Sequence, residues 1–150
     1  MKTNKKSLAV SGIIFLTALC YSQTSEFSTP EGFKWGMSRE EVLKLNAGQP
    51  TTSDNEKIYY LNRETKNSLL YQFTDNKLIS ITKKYGFDTE DDLYNDFEKY
   101  KKELINLYGT DYTKIPQRTG FMWIYKGTRI MLFDSFEDDK MKIFINYKQL

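Results

Sequence analysis

The sequence predicts an α+β fold made of two tandem αβββ units, with the helices packed on one face of an antiparallel sheet. Three observations carry that expectation. Two helix-period segments each precede three strand-like runs, and each ends at a glycine. The hairpin "FTDNKLISI" (73–81) aligns with "FEDDKMKIF" (136–144) at an offset of 63 residues. The same offset sets Tyr60 over Trp123.

The first unit is expected over residues 33–86. In "FKWGMSREEV" (33–42), Ser38 followed by Glu41 forms a capping box, since the hydroxyl and the carboxylate can each satisfy a free backbone amide at the helix start. Glu40 and Glu41 suit the positive end of the helix dipole. Val42 and Leu45 supply an apolar stripe, and Gly48 and Pro50 stop the helix, which is read as 38–46. "KIYYL" (57–61), "LLYQF" (69–73) and "KLISITK" (77–83) read as strands. A three-residue loop at "TDNK" puts Leu69, Tyr71, Phe73, Ile79 and Ile81 on one face. Gln72, Ser80 and Thr82 then share the other.

The second unit is expected over 87–150. Leu93, Phe97, Tyr100, Leu104 and Leu107 recur at steps of four and three, the stripe of an amphipathic helix over 88–109. Thr89 is the expected N-cap and Gly109 the stop. "FMWIY" (121–125), "RIMLF" (129–133) and "KMKIFINY" (140–147) follow as strands. Here both parities are apolar. Met122, Ile124, Met131 and Phe133 share one face; Phe121, Trp123, Tyr125, Ile130 and Leu132 share the other. In the third strand Met141, Ile143, Ile145 and Tyr147 oppose Lys142, Phe144 and Asn146, and the sequence leaves open which set lies under the helix. An antiparallel sheet with one solvated face alternates cleanly. The second face is therefore either covered by the rest of the chain or exposed as an aromatic binding surface.

Lys2, Lys5 and Lys6 precede the apolar run "LAVSGIIFLTAL" (8–19), the pattern of a signal peptide over 1–22 and too short to span a bilayer comfortably. Residues 23–32 read as a disordered leader. The chain's single cysteine, Cys20, falls inside the signal, and Leu19 stands where a lipidation motif needs a small residue, which argues against a lipid anchor there. The expected location is periplasmic or secreted, with no transmembrane helix after cleavage. Beyond residue 22 there is neither Cys nor His, which excludes disulfides, Cys/His metal sites, thiol nucleophiles and imidazole bases. Nineteen Lys plus Arg then face 20 Asp plus Glu, so the whole-chain charge of +2 becomes −1 and no basic block suggests nucleic acid. About 128 residues bury roughly two-thirds of their surface without staples.

Acidic clusters at 91–92 and 137–139 could in principle serve as a carboxylate pair, but a helix first turn and a hairpin tip favour acids for structural reasons. No phosphate-cradling glycine loop or GxSxG turn occurs. No catalytic, metal or cofactor residue is therefore assigned.

Gly36, Met37, Ser38, Glu41, Val42, Gly48 and Pro50 resemble the helix motif of the SmpA/OmlA small outer-membrane assembly lipoproteins. The repeated unit resembles the wider β-lactamase-inhibitor-protein-like architecture, in which an αβββ unit is often duplicated. The resemblance implies an extracytoplasmic, non-catalytic module that binds proteins through its sheet. The expected function is thus protein binding or envelope assembly, with a protein partner and with Tyr60, Trp123, Tyr125 and Phe144 as contacts, since Tyr and Trp make large anchors at low entropic cost. Two alternatives stand beside it: a carrier of small apolar ligands or lipid, and a carboxylate-based envelope hydrolase.

Overall fold

A computed structural model describes residues 26–46 and 48–150. The signal peptide expected over 1–22, with Cys20, and residues 23–25 of the expected leader lie outside the described residues.

The chain alternates helix and strands as α1 (Arg39–Leu45), β1 (Thr52–Ser53), β2 (Lys57–Leu61), β3 (Ser68–Thr74), β4 (Lys77–Phe87), α2 (Glu90–Tyr108), β5 (Thr113–Lys114), β6 (Gly120–Tyr125), β7 (Thr128–Glu137) and β8 (Lys140–Gln149). All eight strands join one antiparallel sheet in the order β1-β2-β3-β4-β8-β7-β6-β5. The fold class is α+β. The junction is β4 against β8, paired from Ser80↔Lys148 to Phe87↔Met141.

Both helices start as their sequences dictate. The Ser38 amide donates to Glu41 Oε2 at 2.7 Å, and the Glu41 amide donates to Ser38 Oγ at 3.3 Å. Thr89 Oγ1 accepts from the Asp92 amide at 3.2 Å. The ends differ from expectation in α1. Asn46, not Gly48, caps it, with both the Asn46 amide and Nδ2 donating to Val42 O. In α2 the apolar stripe ends on Tyr108, which packs on Tyr125 and Tyr147, while Leu107 is 48% exposed.

Three hairpins use two-residue turns with both central residues at positive φ: Asp75-Asn76, Lys126-Gly127 and Asp138-Asp139. This turn type matches the twist of the flanking strands. It corrects the three-residue loop expected at "TDNK". Thr74 pairs with Lys77 and Phe73 with Leu78, but Tyr71 pairs with Ile81, because a bulge shifts the register between Gln72 and Phe73. The bulge absorbs one extra residue on β4. Leu78 is fully buried where Ile79 was expected, and Ile81 keeps its inward place.

Residues 26–37 form a strap over the middle of the sheet. The expectation of disorder through residue 32 fails here for a plain reason: Phe27 has a core position. It stacks on Trp35 with ring centroids 5.5 Å apart and reaches Tyr108 and Tyr147. Trp35 Nε1 donates to Thr128 Oγ1 at 2.6 Å, and the Gly36 amide donates to Leu78 O. The strap, α1 and α2 all contact the same sheet face. That face holds Ile58, Tyr71, Ile81, Ile143, Ile145, Tyr147, Ile130, Leu132 and Trp123, all in the buried core. The aromatic parity of β6 therefore lies beneath α2, and Met122, Ile124, Met131 and Phe133 take the opposite face.

Candidate functional site

Alternation along each strand divides the side chains between two faces, and each face offers a candidate surface.

On the helical face the cover is incomplete. A cleft of about 440 Å³ opens over β2, β3 and β4, between the strap, α1 and the Asn62–Asn67 loop. Tyr60, Leu69, Tyr71, Ile81, Lys83 and Tyr85 form its floor. Phe33, Leu45 and Asn46 wall one side. Tyr60, Leu69 and Lys83 form a single cross-strand row. Asn46 is spent within the fold, since its Oδ1 accepts from the Tyr71 hydroxyl at 3.0 Å. The Tyr60 hydroxyl is buried with no hydrogen-bond partner among the described residues. Burial raises the Tyr60 and Tyr71 phenols, Tyr71 far above the ordinary range, so both stay protonated.

Lys83 is the single cation of this floor, its side chain 18% exposed, and its Nζ bonds the Glu31 carboxylate from the strap. Burial pushes Glu31 up, but the hydrogen bond and charge of Lys83 outweigh it, and the net shift is downward. The Lys83 ammonium also lies 5.6 Å from the Tyr147 ring centroid. Beyond the Glu31–Lys83 pair lies a second cleft of about 420 Å³ against α2, which shares Glu31, Lys83 and Tyr85 with the first. There burial holds the Tyr147 phenol high, and it pushes the adjoining Tyr108 up to about 12.

On the opposite face no described helix or loop covers the sheet centre. Its rows follow from strand register. One runs Gln72, Ser80, Lys148, Arg129, Ile124; the next Leu70, Thr82, Asn146, Met131, Met122; the third Ser68, Lys84, Phe144, Phe133, Gly120. Asn146 Nδ2 donates to Thr82 Oγ1 at 2.8 Å, a polar centre. Phe133 and Phe144 stack nearly parallel, 4.9 Å between centroids, with Lys84 over Phe144 and Arg118 over Phe133. Gly120 makes room for this pair, because a Cβ there would sit 2.8 Å from Leu132 O and Phe133 Cβ. Lys57, Lys84, Arg129, Lys140, Lys142 and Lys148 have this parity. Lys57, Lys84, Lys140 and Lys142 pair with Asp54, Glu137, Asp88 and Asp138 respectively, and Arg129 and Lys148 have no ion pair among the described residues. The two helices carry the reverse balance, eight acidic side chains to five basic.

The four expected contact residues do not share a surface. Trp123 is 1% exposed, and its Nε1 donates to Gly109 O at 3.0 Å, so it is core and leaves the contact set. Tyr125 is half-buried under Tyr108 on the helical face. Tyr60 lines the cleft from β2, two strands out from β4, and Phe144 alone belongs to the open face. Sequence reasoning missed Lys83 and Glu31. The signal was available for Lys83: it continues the inward parity of Ile81.

The acidic clusters occupy structural positions. Asp91 and Asp92 lie in the first turn of α2. Glu137 bonds Lys84 at 3.0 Å and Asp138 bonds Lys142 at 2.7 Å. Among the described residues, no cluster of three or more His, Cys, Asp or Glu is arranged to hold a metal ion. No described helix is long and apolar enough to cross a membrane.

No family model matches the chain, and no curated protein matches it. Among solved structures, it is similar to a DUF4309 family protein (YjgB) from Bacillus subtilis subsp. subtilis str. 168. The two share 12% identity over 87% of this chain and 93% of that one, with a TM-score of 0.42.

Proposed function

We propose that the chain is an exported, non-catalytic protein-binding module that engages an acidic partner through the open face of its sheet. The observation that carries this reading is the asymmetry of the two faces. The strap and both helices cover one side, while the other is left with an apolar strip set among basic side chains. Ile124, 58% exposed, sits at the rim of that strip, and Met122, Met131 and Phe133 are half-buried within it. A partner surface with apolar side chains ringed by carboxylates complements it in shape and sign.

We also read the halves as tandem αβββ units. Support comes from the sheet order, which runs outward from β4 and β8 through equivalent strands, and from the matching turns at Asp75-Asn76 and Asp138-Asp139. The apolar export signal supports a periplasmic or secreted location.

Affinity capture from an envelope fraction tests the binding reading when three baits run together. Wild-type protein and a cleft variant, Leu69→Trp, are expected to retain the same prey. A double variant on the open face, Ile124→Asp with Arg129→Glu, is expected to lose it at unchanged melting temperature. Identical prey on all three baits would end the proposal. Since the basic rim steers association, prey retention is also expected to fall as salt rises.

A further inference from the structure

The cleft on the helical face has a chemistry separate from the open sheet. Its interior is apolar, with Phe33, Leu69, Tyr71 and Ile81 around it. Its size lies within the ordinary range for small-ligand sites. At its inner end stands a single cation, Lys83, fixed on the rigid centre of the sheet next to β8. The strap already presents a carboxylate to that cation, so the position demonstrably accepts one. Glu31 is tethered only by the strap turn, and its side chain is 44% exposed, so it can swing to water without unpacking the core. The orphaned Tyr60 hydroxyl, in the same cross-strand row as Lys83, would regain a hydrogen bond from any occupant that brings it a polar atom.

We propose that this cleft binds a free single-chain carboxylate, whose head group replaces Glu31 on Lys83 and whose tail lies over Leu69 and Tyr71. Glu31, Lys83 and Tyr85 line both clefts, so a head group on Lys83 stands at their boundary and its tail runs into the first cleft. Binding exchanges one ion pair for another and adds burial of apolar chain, about 0.8 kcal/mol for each buried methylene. The tail is therefore the main source of affinity, and the head group selects for negative charge.

The test is calorimetric titration of the purified protein with dodecanoate below its micelle concentration, beside dodecanol and dodecyltrimethylammonium. Wild type is expected to take up one dodecanoate per chain and to reject the ammonium. Lys83→Met is expected to weaken dodecanoate about tenfold while leaving dodecanol within about twofold, the mark of a lost charge-assisted contact. Glu31→Gln is expected to tighten dodecanoate several-fold, because the internal competitor is gone. Leu69→Trp, which fills the floor, is expected to abolish both. Melting temperatures confirm that each variant folds. Failure of wild type to bind dodecanoate overturns the proposal, as does equal loss of dodecanoate and dodecanol in Lys83→Met, or weaker binding in Glu31→Gln. Adsorption to phosphatidylglycerol vesicles without uptake of free dodecanoate would also overturn it, in favour of a lipid surface.

Discussion

The two halves of the molecule cover their strands by different means. Over β6–β8, the 19-residue α2 presents Phe97, Leu104 and Tyr108 to the sheet and buries Trp123. Over β2–β4, the seven-residue α1 buries only Val42, and the strap adds Phe33 against Tyr71. A long helix makes a continuous lid, whereas a short helix and an extended segment leave a gap between them. The cleft lies in that gap. Tyr60 and Trp123 sit on second and seventh strands of a symmetric sheet order, yet one borders a cavity and the other is core. The cover, not the sheet, makes the difference.

The largest test of this contrast is a pair of truncations. Trp123→Ala is expected to cost about 3–5 kcal/mol in urea unfolding, the usual loss for a buried aromatic. Tyr60→Ala, beside an existing cavity, is expected to cost about 1–2 kcal/mol. Equal losses would break the comparison. Next comes the strap. Phe27→Ala removes a ring packed on Trp35, Tyr108 and Tyr147 and is expected to cost about 3 kcal/mol. An effect near zero would mean the strap contributes no cover. Smaller again, Ser38→Ala is expected to cost about 1 kcal/mol by removing a cap, and Thr89→Ala a similar amount. In proportion to helix length the first loss falls harder on α1, so hydrogen exchange in residues 39–45 should accelerate more than in α2.

The smallest effect concerns the link between halves. Asp88 bonds Lys66 from the β2–β3 loop at 2.7 Å and Lys140 from β8 at 2.8 Å. Those two lysines hold its carboxyl down at about 2, below the ordinary 3.8. A carboxylate whose folded value is lowered contributes stability above its unfolded value and loses it as pH falls toward the folded one. Its contribution is therefore complete above pH 3.8 and fades toward about 2. Asp88→Asn is expected to flatten the stability profile across that window, and an unchanged acid limb would show the pair to be idle. Asp88 is solvent-exposed, so the change should be slight and should shrink with added salt.

Much of the fold was legible because it is encoded locally. Ser38 with Glu41, and Thr89 with Asp92, meet across three residues, so their partners are present in the sequence itself. The positions of the six long strands follow from runs of apolar and β-branched residues. Register was harder. At "TDNK" the pattern correctly put Tyr71 and Ile81 on one face, but the route was a two-residue turn with a bulge, because hairpin twist favours that turn. The end of α2 slipped from Leu107 to Tyr108 because a step of four from Leu104, as regular as a step of three, brings the Tyr108 ring onto Tyr125 and Tyr147.

The candidate site was less legible. Lys83 carries the inward parity of Ile81 in the sequence, but its partner is a strap carboxylate 52 residues away, which only the fold brings to it. Phe27 reads as part of a polar leader until Trp35 and Tyr147 are placed beside it.

By itself, the sequence determined where helices begin, which runs are strands, and that no Cys or His chemistry operates beyond residue 22. These depend on contacts within a few residues or on composition. Only the tertiary structure decided which apolar parity of β6 and β7 is core, that the strap folds, and that Lys83 meets Glu31. In a strand that is greasy on both sides, burial on either face satisfies the hydrophobic effect, and the choice falls to whatever distant segment arrives to cover it.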